Sequence, residues 1–229
     1  YPLDFVPISE SDLPGESSNV ILSANPNFQI LKEDLTVNVG AEVTYLSVLK
    51  NNYYGMDGGT NGKLFVYPKV NASYKVVGDL MIAYAGAEGG LHQNSYRELT
   101  NSNPFLSPTQ LIKPTDSQYD IYVGLKGKLT NAVSYNVRGS YLNEKDKALF
   151  SSNPYTQSIT NEAYVNGNSF GVGYYNVKTM SFFGELKADF SKNVAFGING
   201  TFASYNVDFS PEAWNLPQLK LGSSLDVNF

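Results

Sequence analysis

The stretch Tyr119–Glu144, YDIYVGLKGKLTNAVSYNVRGSYLNE, decides the fold. Every second residue from Tyr119 reads Tyr119, Ile121, Val123, Leu125, Gly127, Leu129. The residues between are Asp120, Tyr122, Gly124, Lys126, Lys128 and Thr130. After Asn131-Ala132 the alternation resumes, with Val133, Tyr135, Val137, Gly139 and Tyr141 set against Ser134, Asn136, Arg138 and Ser140. A period of two residues marks β-strands with unlike faces. One face here is apolar, and the other carries lysine and arginine at mid-strand.

The pattern recurs along the chain. Val20–Ile30, Leu35–Tyr45, Leu64–Val76, Met180–Phe190, Val194–Phe202 and Leu219–Phe229 alternate in the same way. A further run begins at Leu80, Ile82 and Tyr84, which the pattern places on the apolar face, with the small Ala83, Ala85 and Ala87 opposite. That makes nine expected strands. The 3.6-residue period of an amphipathic helix is absent, so no helix is expected. Tight connections at Lys32–Asp34, Gly78-Asp79, Asn131-Ala132 and Ser191–Asn193 carry hairpin-turn residues. They alternate with long connections near Leu49–Lys63, His92–Ser117, Asp146–Gly173 and Asp208–Pro217. An up-and-down meander would gather the short turns at one end and the long loops at the other. Pro26 and Pro68 fall on apolar strand faces, and a proline within a ladder implies a bulge or an edge.

Composition excludes several classes of function. The 229 residues carry a formal net charge of -5, so there is no basic footprint for nucleic acid. The absence of cysteine removes thiol chemistry, disulfides and cysteine metal sites. No apolar run is long enough for a transmembrane helix. Tyrosine is abundant, at 17 residues. Residues 1–17 read as a leading loop, and 18–229 as the strand region.

Two architectures fit alternating strands. A soluble β-sandwich would have strands of about 5–6 residues and a single protein core. The alternating runs are about twice that length, and Tyr or Phe sits near many of their ends. Lysine aimed into a sandwich core would be costly unless paired. A transmembrane barrel needs tilted strands of about 9–11 residues, a lipid-facing apolar band, aromatic girdles, short turns on one side and long loops on the other. The fold expected is therefore all-β: an antiparallel up-and-down transmembrane β-barrel, or a large part of one. Lipid demands that every backbone polar group be paired, so the strands must close into a ring.

Three stretches, VGLKGKLTNAVSYNVRGSYLNEKDKALF, SFFGELKADFSKNVAFGINGTFASY and EAWNLPQLKLGSSLDVNF, make the chain resemble the barrel portion of TonB-dependent receptors and porin-like outer-membrane proteins of Gram-negative bacteria. The resemblance implies an outer-membrane location with the lipid bilayer as partner. It implies passage or uptake of a solute or ligand, or else a non-transporting barrel subunit of a larger outer-membrane complex. Other outer-membrane or surface-exposed proteins are further candidate partners. Receptors of this group also have an N-terminal plug and a short box that contacts an energising partner. Neither is visible, so the chain is expected to be a barrel portion or a relative without the plug. Lys220–Phe229 also resembles the signal that barrel-assembly machinery reads on last strands. Nine is an odd count, whereas bacterial single-chain barrels have even numbers, which points to a larger barrel.

No catalytic, metal or cofactor site is expected. His92 is the sole histidine and heads a long loop; a hydrolase triad would need it beside a serine and a carboxylate. Met56–Gly62, MDGGTNG, has one carboxylate, too few for a calcium loop. GVGYYN, residues 171–176, lacks the glycines and the strand-to-helix setting of a nucleotide site. The functional candidates are the charges of the polar face, expected to line the lumen: Glu42, Lys69, Lys75, Lys126, Lys128, Arg138, Glu185, Lys187, Asp189, Lys220 and Asp226. In a wide pore they would tune selectivity; in a narrow barrel they would neutralise one another. The loop between His92 and Ser117 contains Pro104, Phe105, Leu106 and Pro108. An apolar, proline-stiffened loop of this length is expected to fold inward as a constriction or to dock on a partner.

Overall fold

The computed structural model describes residues 17–53, 56–57, 61–108, 110–153, 167–191, 193–208, 213 and 215–227. Residues 1–16 of the leading loop, the tip 58–60 of MDGGTNG and the terminal 228–229 lie outside the described residues.

The elements in chain order are β1 (Ser17–Ala24), β2 (Asn27–Lys32), β3 (Leu35–Tyr53), β4 (Met56–Asp57), β5 (Asn61–Val77), β6 (Met81–His92), α1 (Tyr96–Ser102), β7 (Thr115–Thr130), β8 (Val133–Ser152), β9 (Phe170–Ser191), β10 (Val194–Val207) and β11 (Leu219–Val227). They form one antiparallel sheet in the order β1-β3-β5-β6-β7-β8-β9-β10-β11, with β2 and β4 also paired to β3. This is the up-and-down meander of a β-barrel wall. The sheet is open, with β1 and β11 at its edges.

β1 and β2 are one strand with an interruption. Ala24 pairs with Val43, and Asn27 with Gly40. Between them Pro26 accepts a hydrogen bond from the Ala41 amide at 3.2 Å, but it has no N–H to return to Ala41. The break therefore faces into the ladder. Pro68 lies opposite Ala41, one residue before β5 begins to pair with β6 at Lys69, so its missing donor falls where pairing stops.

Register carries the two-faced pattern across the sheet. One rung on the apolar side runs Ala72, Ala85, Val123, Gly139, Phe182, Phe202, Leu219, and the next runs Tyr74, Ala83, Leu125, Val137, Gly184, Gly200, Leu221. A polar rung runs Ser73, Tyr84, Gly124, Arg138, Phe183, Thr201, Lys220. The apolar side chains are open rather than packed: Val123 is 64% exposed, Phe190 72% and Leu221 78%. Among the described residues nothing covers these side chains, as a second sheet would in a sandwich. On β9 the apolar side runs from Met180 to Phe190, and the outward residue beyond it is Lys178. Ten residue steps of about 3.4 Å, tilted about 45°, give a height of about 24 Å, close to the apolar band of about 25 Å in outer-membrane barrels.

Two expectations fail. On β6 the faces are reversed: Ile82 pairs with Lys126 and Tyr84 with Gly124, so Ile82 and Tyr84 lie on the polar side, while Ala83, Ala85 and Ala87 share the apolar side with Leu125, Val123 and Ile121. Alanine is apolar enough for that side, and the Tyr84 hydroxyl finds a partner on the other. The second is a helix, α1. Ser95 caps it by accepting the Glu98 amide on its side chain, and it buries Leu99.

The buried apolar cluster is small and sits at the long-loop end. Leu99, Leu106 and Phe150 pack together with Ile112, Ala148, Phe170 and Val172. The Ser107 amide donates to the Phe170 carbonyl and the Phe170 amide to the Phe105 carbonyl, both at 2.9 Å. The Val172 amide donates to Gln110 Oε1 at 2.7 Å. Phe105, Ser107 and Gln110 thus bond to the β9 edge above the end of β10. Across the same hairpin, the Phe150 amide donates to Asn215 Oδ1 at 2.9 Å.

Candidate functional site

By register, all eleven charged candidates fall on the polar side of the sheet. They form local groups. Glu42 meets Lys69 at 3.3 Å and accepts from the Thr44 hydroxyl at 3.1 Å. Lys75 pairs with Asp79 at 3.1 Å at the short-turn end. Glu185 and Lys187 are 3.7 Å apart on one strand. Lys128 lies by the turn, its amide donating to the Asp79 carbonyl. Asp189 and Asp226 flank Ala195, and Lys220 lies opposite Thr201.

The densest group centres on β6–β9. Arg138 Nη2 donates to Asp120 Oδ2, and the guanidinium carbon lies 4.0 Å from the Tyr122 ring centroid. Tyr122 donates its hydroxyl to Glu88 Oε1 at 2.8 Å. Tyr84 donates to Asn136 Oδ1 at 2.6 Å, and Lys126 Nζ lies 5.4 Å from its ring. The two tyrosine rings are 6.2 Å apart. Glycine makes this possible: a Cβ at Gly124 would lie 2.4 Å from the Tyr84 ring, and one at Gly86 2.5 Å from Tyr122. Tyr84, Asp120, Tyr122, Lys126, Asn136 and Arg138 line a concavity of about 670 Å³, whose wall also includes Leu142, Thr179 and Phe183. Sequence reasoning had not singled out Asp120, Tyr122, Tyr84, Glu88 or Thr179. Asp120 and Tyr122 were visible on the polar side of the deciding stretch; Tyr84 was hidden by the reversed reading of β6.

At the long-loop end, the loop candidates divide. Leu106 is buried at 6%, whereas Phe105 is 67% exposed, and Pro104 and Pro108 are exposed. The loop docks on the chain's own β8–β9 hairpin. Tyr174 ties it down, accepting from the Lys113 amide and donating to the Leu111 carbonyl, each at 2.9 Å. Burial pushes the Tyr174 phenol above its usual range, against the lowering effect of the Lys113 amide. His92 Nε2 lies 3.1 Å from Glu98 Oε1, and among the described residues no serine hydroxyl bonds to it. No group of three or more potential metal ligands occurs among the described residues.

No family model matches this chain, and no curated protein does. Solved structures do. The pyoverdine outer-membrane receptor FpvA from Pseudomonas aeruginosa PAO1 is similar over 93% of this chain and 29% of the receptor, at 16% identity and a TM-score of 0.58. The copper transporter OprC matches over 91% of this chain and 32% of that one, at 16% identity and a TM-score of 0.61. The alcaligin outer-membrane receptor FauA from Bordetella pertussis matches over 90% and 34%, at 16% identity and a TM-score of 0.58. The chain spans about a third of the length of these structures. Its fold is that of a portion of their β-barrels.

Proposed function

We propose that the chain forms part of the wall of a β-barrel in the outer membrane of a Gram-negative bacterium, and that the barrel takes up a solute or ligand. The carrying observation is the segregation of faces: rungs of exposed apolar side chains on one side, the charged side chains and their bonded partners on the other. Hydrocarbon suits the first side and a wet or protein-filled lumen the second. The structural neighbours are receptors and transporters, which favours a non-enzymatic role.

Strand direction supports a larger barrel. In an up-and-down path of nine strands, β1 and β11 run the same way. Antiparallel closure between them needs an odd number of further strands, giving an even total. In this reading the eleven charges line the lumen, and residues 105–108 narrow its mouth or meet surface proteins.

A second reading, a non-transporting barrel subunit, draws on the pairing of Glu42 with Lys69, Arg138 with Asp120 and Lys187 with Glu185. Charges that neutralise one another can fill a closed interior. Planar-bilayer conductance of the full natural polypeptide separates the two. A passage conducts, at the latest once urea has unfolded any segment filling the lumen. A barrel that stays silent in urea has its interior closed by its own side chains and supports the subunit.

A further inference from the structure

Among the described residues, two buried side-chain oxygens lack any hydrogen-bond partner: Asp120 Oδ1 and Thr179 Oγ1. The two residues, Asp120 and Thr179, line the same concavity on the polar face. Nothing in strand geometry requires this coincidence. A buried polar atom left unpaired calls for a partner that the chain itself does not supply.

The register fixes how the two are arranged. Asp120 pairs with Leu142, and Leu142 with Thr179. The two oxygens therefore stand on strands two apart, about 10 Å between backbones, with an apolar side chain between them. Ser140 and Ser181 lie on the adjoining rung and bond to each other at 2.7 Å. Arg138 commits one nitrogen to Asp120 Oδ2 and stacks on Tyr122; its other guanidinium N–H groups are donors on the same wall. The volume, about 670 Å³, lies in the range of small-molecule sites.

We propose that this recess binds a hydroxyl-rich ring solute, of the chemistry of a sugar. One hydroxyl donates to Asp120 Oδ1. A second exchanges a hydrogen bond with the Thr179 hydroxyl, and the C–H face of the ring rests on Leu142. A purely apolar solute would leave both oxygens orphaned. A simple anion would meet the Asp120 carboxylate. A polyol supplies donors at both ends and an apolar surface between them.

The inference deepens the reading of the polar face as the wall of a passage, but binding can be measured without passage. Sucrose serves as the probe, with its fully O-methylated ether as the control that keeps acceptors and lacks donors. Binding to the full natural polypeptide in detergent is followed by saturation-transfer NMR. Sucrose should bind and the ether should not. Thr179→Val, which keeps the shape and removes the hydroxyl, should weaken sucrose binding roughly threefold to tenfold, and Asp120→Asn about tenfold. Each variant is first shown to keep the β-sheet circular dichroism of the parent. Equal binding of sucrose and its ether, no binding of either, or full affinity in folded Thr179→Val would overturn the proposal and leave the two oxygens to water. Conductance without sucrose binding counts against this inference alone. Sucrose binding to a barrel that stays closed in urea counts against the passage alone.

Discussion

Leu186→Arg tests the assignment of faces by energy. Leu186 lies on the apolar side near the middle of the Met180–Phe190 span and is 46% exposed to the surroundings of the sheet. If those surroundings are hydrocarbon, an arginine at mid-depth costs about 2–4 kcal/mol. If they are water, the same change lies within about 0.5 kcal/mol, as for most surface substitutions. Asn199→Arg is the matched control. Asn199 pairs with Glu185 on the polar side, one strand away, so the new cation gains a carboxylate neighbour and stays out of lipid. Urea titration of the natural polypeptide in phospholipid vesicles measures both. Leu186→Arg should lose about 2–4 kcal/mol and Asn199→Arg should stay within about 0.5 kcal/mol of the parent. Equal effects of the two substitutions would refute the reasoning, as would a harmless Leu186→Arg.

The outward glycines differ in a way that stability measurements can read. A Cβ at Gly127 would lie 2.1 Å from the Leu80 carbonyl oxygen, whereas one at Gly184 meets nothing within 4 Å; Gly127→Ala should destabilise clearly, and Gly184→Ala should be neutral or stabilise by up to about 1 kcal/mol. Pro26→Ala restores the donor facing Ala41, so amide exchange around Ala24–Gly40 should slow, by up to about tenfold for one added hydrogen bond. Leu106→Ala opens a cavity beside Leu99 and Phe150; exchange of the Ser107 and Phe170 amides should quicken by a factor reflecting about 2 kcal/mol or more of lost local stability, with the amides of β10 unchanged. Tyr174→Phe removes the hydroxyl that holds Lys113 and Leu111, so proteolysis between residues 105 and 113 should become faster while the strands stay intact.

Much of the sheet could be read from alternation, because the apolar side and the polar side differ at every step. Eight of the nine runs keep the expected faces; β6 does not, since its small and large residues were weighed by size alone. There alanine takes the apolar side, and tyrosine turns to the side where Asn136 accepts its hydrogen bond. Strand ends ran longer than expected: β8 reaches Ser152 and β9 starts at Phe170. Beyond the apolar band both sides of the hairpin are wet or covered by loops, so alternation fades while pairing continues. Helix α1 has seven residues, fewer than two turns and too few to show a period. Its signal was local, the serine-to-glutamate spacing of Ser95 and Glu98. The Asp120–Thr179 recess was beyond reach, because it joins residues about sixty positions apart through two strand pairings that no spacing along the chain reveals.

The central claim is that hydrocarbon covers the side bearing Val123 and Leu125 and not the side bearing Tyr122 and Lys126. The 229 residues hold no cysteine, so with any cysteine elsewhere in the natural polypeptide replaced by serine, the single substitutions Tyr122→Cys, Val123→Cys, Leu125→Cys and Lys126→Cys each carry one fluorophore. With the natural polypeptide in vesicles, brominated acyl chains should quench positions 123 and 125 and spare 122 and 126. Quenching of 123 and 125 by aqueous iodide, with no response to brominated lipid, would contradict the account.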